Sequence, residues 1–168
     1  MPRIFIGLGS NVDKDVAAVE GAQALQQLFS QVQFSHLYES EAIGFEGENF
    51  YNAVIAANTE LSLTEVLQQL KDIESHYAHP QQQTGMCSKR LDLDLLLYGE
   101  TIAETPAVLP RPEILFNAFV LLPLSELAPD MPHPLTGCSF AQHWQQFGHG
   151  NQQLWRISNS ENNKEWFK

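Results

Sequence analysis

The chain has 168 residues, which suits one domain with its own core and is short for two. Hydrophobic residues make up 43% of it, so wholesale disorder is excluded, and no apolar run approaches the roughly 18 residues of a membrane span. The formal net charge of −11, with nine Lys and Arg in all, excludes broad nucleic-acid binding and fits an acidic, soluble surface. The two cysteines, Cys87 and Cys138, lack CxxC spacing, which points to a reducing compartment and hence the cytoplasm.

Met1 to Gly7 lacks the charged region, long apolar stretch and cleavage site of a secretion signal. Arg3 to Leu8 reads as a first strand, closed by the turn residues Gly9-Ser10-Asn11. A helix is expected from about Asp13 to Phe29, with Val16, Val19, Ala22, Leu25 and Leu28 as its buried stripe. Residues 31–38 alternate, with Val32, Phe34 and Tyr38 to one side and Gln31, Gln33 and Ser35 to the other, as in a half-buried strand. Residues 39–49 are polar and glycine-containing, which predicts a loop. Phe50 to Asn58 predicts a more fully buried strand.

Ser62-Leu63-Thr64-Glu65 is a capping box, and it opens a helix with Leu63, Val66, Leu67, Leu70, Ile73 and Tyr77 on one side. Residues 78–90 form a polar loop. Leu91 to Tyr98 is the most strand-like run of all and is closed by Gly99. The order β-α-β-β-α-β predicts an α+β, ferredoxin-like fold, with helices on one face of a mainly antiparallel sheet. Seven of the nine prolines, at 106, 110, 112, 123, 129, 132 and 134, predict an irregular section with a short helix around Glu113 to Leu122. Phe140, Trp144 and Phe147 mark a last helix, and Leu154 to Ile157 an edge strand. A single domain over 1–158 and a polar tail over 159–168 follow.

The chemistry concentrates in Leu91-Asp92-Leu93-Asp94-Leu95-Leu96-Leu97. Residues two apart on a strand share a face, about 6.6 Å apart along it. Asp92 and Asp94 therefore project side by side, while Leu91, Leu93 and Leu95 enter the core. Two crowded carboxylates are costly to keep ionised, and a magnesium ion removes that cost while leaving positions for phosphates. The alternative for such a pair is a solvated edge-strand face. The flanking leucines and the nearby cations Lys89, Arg90 and Arg111 favour the metal site. Other features are weaker: His76 and His79 lack further zinc ligands, Gly7-Leu8-Gly9 lacks the third glycine of a dinucleotide fingerprint, and Ser10 has no partners to activate it.

The run Lys89-Arg90-Leu91-Asp92-Leu93-Asp94-Leu95-Leu96-Leu97-Tyr98-Gly99 resembles the signature of the hydroxymethyldihydropterin pyrophosphokinases. Gly9-Ser10-Asn11, Phe50-Tyr51-Asn52-Ala53-Val54, Ile73-Glu74, Leu109-Pro110 and Phe119 to Pro129 fall in that family's order, so the resemblance spans roughly residues 3 to 147. It implies transfer of pyrophosphate from ATP to the hydroxymethyl group of a reduced pterin in folate biosynthesis. Two magnesium ions would then sit on Asp92 and Asp94, with Lys89 and Arg111 as catalytic cations. Asn52, Phe119, Phe50, Ile43, Ser40 and Glu74 would bind the ligands. The partners implied are small molecules, with no nucleic acid and no membrane, and a monomer or weak homodimer is expected.

The chain departs from the pattern at several places. Lys89 stands where the signature has Arg, Cys87-Ser88 where it has a Gly-Pro-like pair, and Met86 where an aromatic covers the site. His79 and Asn117 replace Arg, and Arg111 replaces His. These changes raise an alternative: a paralogue that binds a pterin without efficient transfer, or one acting on a different pterin.

Overall fold

The computed structural model describes residues 1–41, 49–77, 90–148 and 152–157. Among these residues six strands form one antiparallel sheet: β1 (Arg3–Ser10), β2 (Ser30–Phe34), β3 (Tyr38–Ser40), β4 (Phe50–Asn58), β5 (Asp92–Tyr98) and β6 (Leu154–Arg156). The spatial order is β5-β1-β4-β3-β6, with β2 also pairing β4. Taking β2 and β3 together as one interrupted strand, this is the ferredoxin-like arrangement. Two long helices, α1 (Lys14–Leu28) and α2 (Leu63–His76), fall where they are expected. The Ser62 capping box forms as read, with the Glu65 amide donating to the Ser62 hydroxyl at 3.2 Å.

The sheet is covered on both faces, not one. Ile4, Ile6 and Leu8 of β1, Ile55 and Ala57 of β4, and Leu91, Leu93 and Leu95 pack with α1 and α2. The opposite face carries Phe5, Val54, Ala56 and Leu96, which pack with Leu121, Leu124 and Phe140. Those three belong to α3 (Ala118–Leu127) and α4 (Phe140–Gln146). The proline-rich section therefore supplies a second layer. It enters through a short 3-10 helix (Pro112–Leu115), and Pro123 is accommodated inside α3.

Two expected faces are out of phase. In α1, Val16 is 52% exposed, and the buried residues are Ala17, Ala18, Gly21, Ala22 and Leu25. The helix lies so close to the sheet that a Cβ at Gly21 would meet Leu91 Cδ1 at 2.8 Å, so small residues mark the contact. Residues 31–38 do not alternate throughout. The register along β4 slips between β2 and β3, Ser35 donates its hydroxyl to the His36 carbonyl, and the Val54 amide donates to the Ser35 hydroxyl. Phe34 consequently faces α1 and α2, whereas the Tyr38 hydroxyl donates to Glu126 of α3 at 2.9 Å. That change of face brings Ser40 to the α3 side of the sheet. The tail from residue 159 lies outside the described residues.

Candidate functional site

Helices α3 and α4 cover only one end of their face of the sheet. The β-ladder shows what remains open at the other. Gly9 pairs with Asn52 on one side and Asp92 on the other, and Gly7 pairs with Val54 and Asp94. The row Asn52–Gly9–Asp92 thus runs across three adjacent strands on one face, with no side chain at its centre. Asp94 lies one step along β5 on that face. This is the alternation expected of Asp92 and Asp94, and Leu91, Leu93 and Leu95 are buried on the other side.

Two adjoining cavities occupy this open end. One, of about 250 Å³, is lined by Gly9, Ser40, Glu41, Phe50, Asn52, Asp92 and Phe119. The smaller, of about 80 Å³, adds Asp94, Arg111, Glu113 and Asn117 and shares Gly9, Asn52, Asp92 and Phe119. Asp92, Asp94, Arg111, Asn52, Ser40, Phe50 and Phe119 are therefore brought together, whereas Glu74, expected to bind ligand, lines neither cavity. Ile43 and Lys89 lie outside the described residues, as do His79, Met86, Cys87 and Ser88.

Asn52 is buried, and its Nδ2 donates to the Ser40 hydroxyl at 2.7 Å. Its Oδ1 is on the Gly9 side, 3.6 Å from where a Gly9 Cβ would stand. A buried amide with one end tethered and the other toward a cavity is suited to reading a polar ring edge. Phe50 and Phe119 supply apolar walls.

The carboxylate end is charged and crowded. Among the described residues β5 is an edge strand, and the Glu74 carboxylate, arriving from α2, accepts the Leu93 amide at 2.8 Å. Burial pushes the Glu74 carboxyl up to about 7; Asp92 and Asp94 push the same way, and the Leu93 amide opposes them. The Arg111 amide donates to Leu96 O at 3.0 Å, which fixes Arg111 to the same edge. Its guanidinium lies 3.2 Å from Asp94 and 2.7 Å from Glu113. Among the described residues lining the two cavities, Arg111 is the one cation.

Arg90, a cation expected near the Asp pair, is engaged elsewhere. It reaches Asp13 at 3.5 Å and Glu20 at 3.9 Å, and it lies over the Tyr77 ring. Sequence reasoning missed Gly9 as the floor of the trough and Glu113 as the partner of Arg111. A glycine inside a strand is a signal of close approach by another group, and it could have found the first.

Among the described residues, no three His, Cys, Asp or Glu side chains converge on an ion. Two partly exposed carboxylates on one strand face, crowded by a third, still fit magnesium. That ion takes one or two carboxylates and completes its shell with water and phosphate oxygens.

A family model described as 7,8-dihydro-6-hydroxymethylpterin-pyrophosphokinase (HPPK) matches residues 5–129. The chain belongs to this family. It is thereby an enzyme of the diphosphotransferase type. The 2-amino-4-hydroxy-6-hydroxymethyldihydropteridine pyrophosphokinase of Aquifex aeolicus is 30% identical over 138 residues, covering 80% of this chain and 86% of its own. That of Pseudomonas aeruginosa is 32% identical over 151 residues, covering 82% and 93%. Among solved structures, Plasmodium falciparum HPPK-DHPS with SDX-DHP superposes with a TM-score of 0.64 at 13% identity. The match covers 87% of this chain and 43% of that one, so the chain spans less than half of the longer protein, and the likeness shows the HPPK fold alone.

Proposed function

We propose that this HPPK-family chain transfers pyrophosphate from magnesium-bound ATP to the hydroxymethyl group of 6-hydroxymethyl-7,8-dihydropterin, a step of folate biosynthesis. The observation that carries the reading is the row Asn52–Gly9–Asp92, which sets an edge-reading amide beside a metal-type carboxylate over one cavity. The pterin ring goes between the Phe50 and Phe119 walls, with its polar edge on Asn52. The triphosphate goes to the Asp94 and Arg111 side.

Asp92 and Asp94 would hold two magnesium ions, which when bound draw charge off the phosphates. In the reaction the hydroxymethyl oxygen bonds to the β-phosphorus, the P–O bond to the α-phosphate breaks, AMP leaves, and the hydroxyl proton passes to water. The chain's own residues bind, orient and neutralise, which is the larger part of phosphoryl-transfer catalysis. Arg111 moves from Glu113 or Asp94 onto the phosphates as they arrive. Lys89 adds a second cation, and Glu74 holds β5 and Asp92 in place. The unit that acts is a single domain over 1–158, cytoplasmic, monomeric or weakly dimeric, working on small molecules.

A second reading has support in the same geometry. Arg111 is divided between two carboxylates, and Asn117 is neutral. A chain so arranged binds the pterin but transfers slowly, or acts on a different pterin. Calorimetry separates the readings, with hydroxymethylpterin and with a non-hydrolysable ATP analogue plus magnesium, each alone and then together. The first reading expects both to bind, the nucleotide only with magnesium. Pterin binding without magnesium-dependent nucleotide binding selects the second, and no binding of either discards both.

A further inference from the structure

Residues 152–157 lie beyond the stretch matched by the family model, which ends at residue 129. They nonetheless bond to two of the segments that wall the 250 Å³ cavity, those of Ser40 and Phe119. On one side, β6 pairs with β3 through Tyr38 with Arg156, Glu39 with Trp155 and Ser40 with Leu154. The Ile157 amide extends the pairing to Leu37 O at 2.9 Å. A three-residue strand is marginal with a single partner, and β6 gives β3 a second one. β3 in turn carries Ser40, the acceptor that orients the Asn52 amide.

On the other side, the Gln152 side chain makes two hydrogen bonds. Its Oε1 accepts from the Ala118 amide at 2.6 Å, and its Nε2 donates to Phe116 O at 2.7 Å. These backbone groups flank Asn117, the residue before α3, whose own side chain makes no cap bond. Gln152 therefore satisfies, from 34 residues away, a buried helix-start amide that the Asn117 side chain does not cap. A planar amide bonded at both ends fixes the peptide units around Asn117. It thereby fixes the direction in which Asn117 and Phe119 leave the backbone.

We propose that Gln152 is a positioning residue for the ring-binding cavity, acting through the backbone that carries Phe119, while β6 holds the opposite, Ser40 wall. The C-terminal segment thus bears chiefly on affinity for the flat ring substrate; at the metal–nucleotide end it reaches Asn117 but neither Asp92 nor Asp94. Asp92 and Asp94 are held instead by the pairing of β5 with β1 and by Glu74 at the Leu93 amide. The inference rests on the proposed placement of the pterin in this cavity.

The test compares wild type with Gln152→Ala and Gln152→Glu in the full chain. It measures affinity for 6-hydroxymethylpterin, affinity for a non-hydrolysable ATP analogue with magnesium, and melting temperature. Gln152→Ala removes both bonds and is expected to weaken pterin binding about tenfold, with nucleotide affinity within about twofold of wild type. Gln152→Glu keeps the acceptor for Ala118, loses the donor to Phe116, and should fall between. It decides the matter even where Gln152→Ala fails to fold. Unchanged pterin affinity in a folded variant, or equal losses for both ligands, would overturn the inference. A wild type that binds no pterin removes the placement itself, and the inference goes with it.

Discussion

Gly9→Ala separates the fold from the site. Gly9 lies mid-sheet between β4 and β5, outside the left-handed region, so an alanine is compatible with its backbone. The added Cβ would meet Asn52 Oδ1 at 3.6 Å and Asp92 Cβ at 3.9 Å, both ordinary contacts. Replacing glycine where alanine fits restricts the unfolded chain and stabilises by about 0.4–1 kcal/mol. For a domain of this size that raises the melting temperature by about 1–4 °C. The same methyl stands in the trough between the ring-reading amide and the carboxylate. Forcing a ligand past a filled site costs on the order of 1–3 kcal/mol, or roughly 5- to 150-fold in affinity. Thermal melting and fluorescence titration with hydroxymethylpterin read the two effects separately. A Gly9→Ala protein that melts higher and binds the pterin as wild type does would refute the placement of the ligand over this row. One that melts several degrees lower would refute the packing on which it rests.

Asp92→Ala and Asp94→Ala should each abolish magnesium-dependent nucleotide binding. Without metal, Asp92→Ala should melt at or above wild type because it relieves Glu74, and Asp94→Ala should change little because its pair with Arg111 is half-exposed; large drops in melting with unchanged nucleotide affinity would make the pair structural. Asn52→Ala should cost about 1–3 kcal/mol in pterin binding and leave the nucleotide alone, and equal losses would point to a folding defect. Glu74 has a folded pKa of about 7 against an ordinary 4.5, so its stabilising contribution is complete below 4.5 and is lost as pH rises through 7. The melting temperature of metal-free wild type, minus that of Glu74→Gln, should therefore fall over that interval, and a flat difference contradicts the crowding seen around Asp92.

Much of this arrangement was legible in the residues because its cause is local. The strand Phe50–Asn58, the capped helix from Leu63 and the strand closing at Gly99 each declare themselves by a periodicity or a cap, and each lies within a residue of its expected place. The two faces of β5 follow from strand parity alone. What was hidden depends on partners far along the chain. Val16 faces solvent because Gly21 lets α1 close onto Leu91, a distance set by the sheet and not by the helix. Tyr38 changes face because of the slip near Ser35, where the His36 amide is taken by Glu126, 90 residues away. The two helices of the second layer were expected, but the prolines hid that α3 starts only at Ala118 and runs on through Pro123 to Leu127. At the site, the Asp pair and Asn52 were visible as residue types. The trough at Gly9 exists only through register with two other strands, and the hold of Glu113 on Arg111 only through the 3-10 turn that starts at Pro112.

The most direct test of pyrophosphoryl transfer is AMP release from ATP with magnesium and 6-hydroxymethyl-7,8-dihydropterin, run on wild type and Arg111→Ala. AMP formation that requires both the pterin and magnesium is expected. A steep fall is expected in Arg111→Ala, since a well-placed arginine on transferring phosphates contributes roughly a thousandfold or more. No AMP above background from wild type, in a preparation that binds the pterin, would contradict pyrophosphoryl transfer and leave the pterin-binding reading in its place.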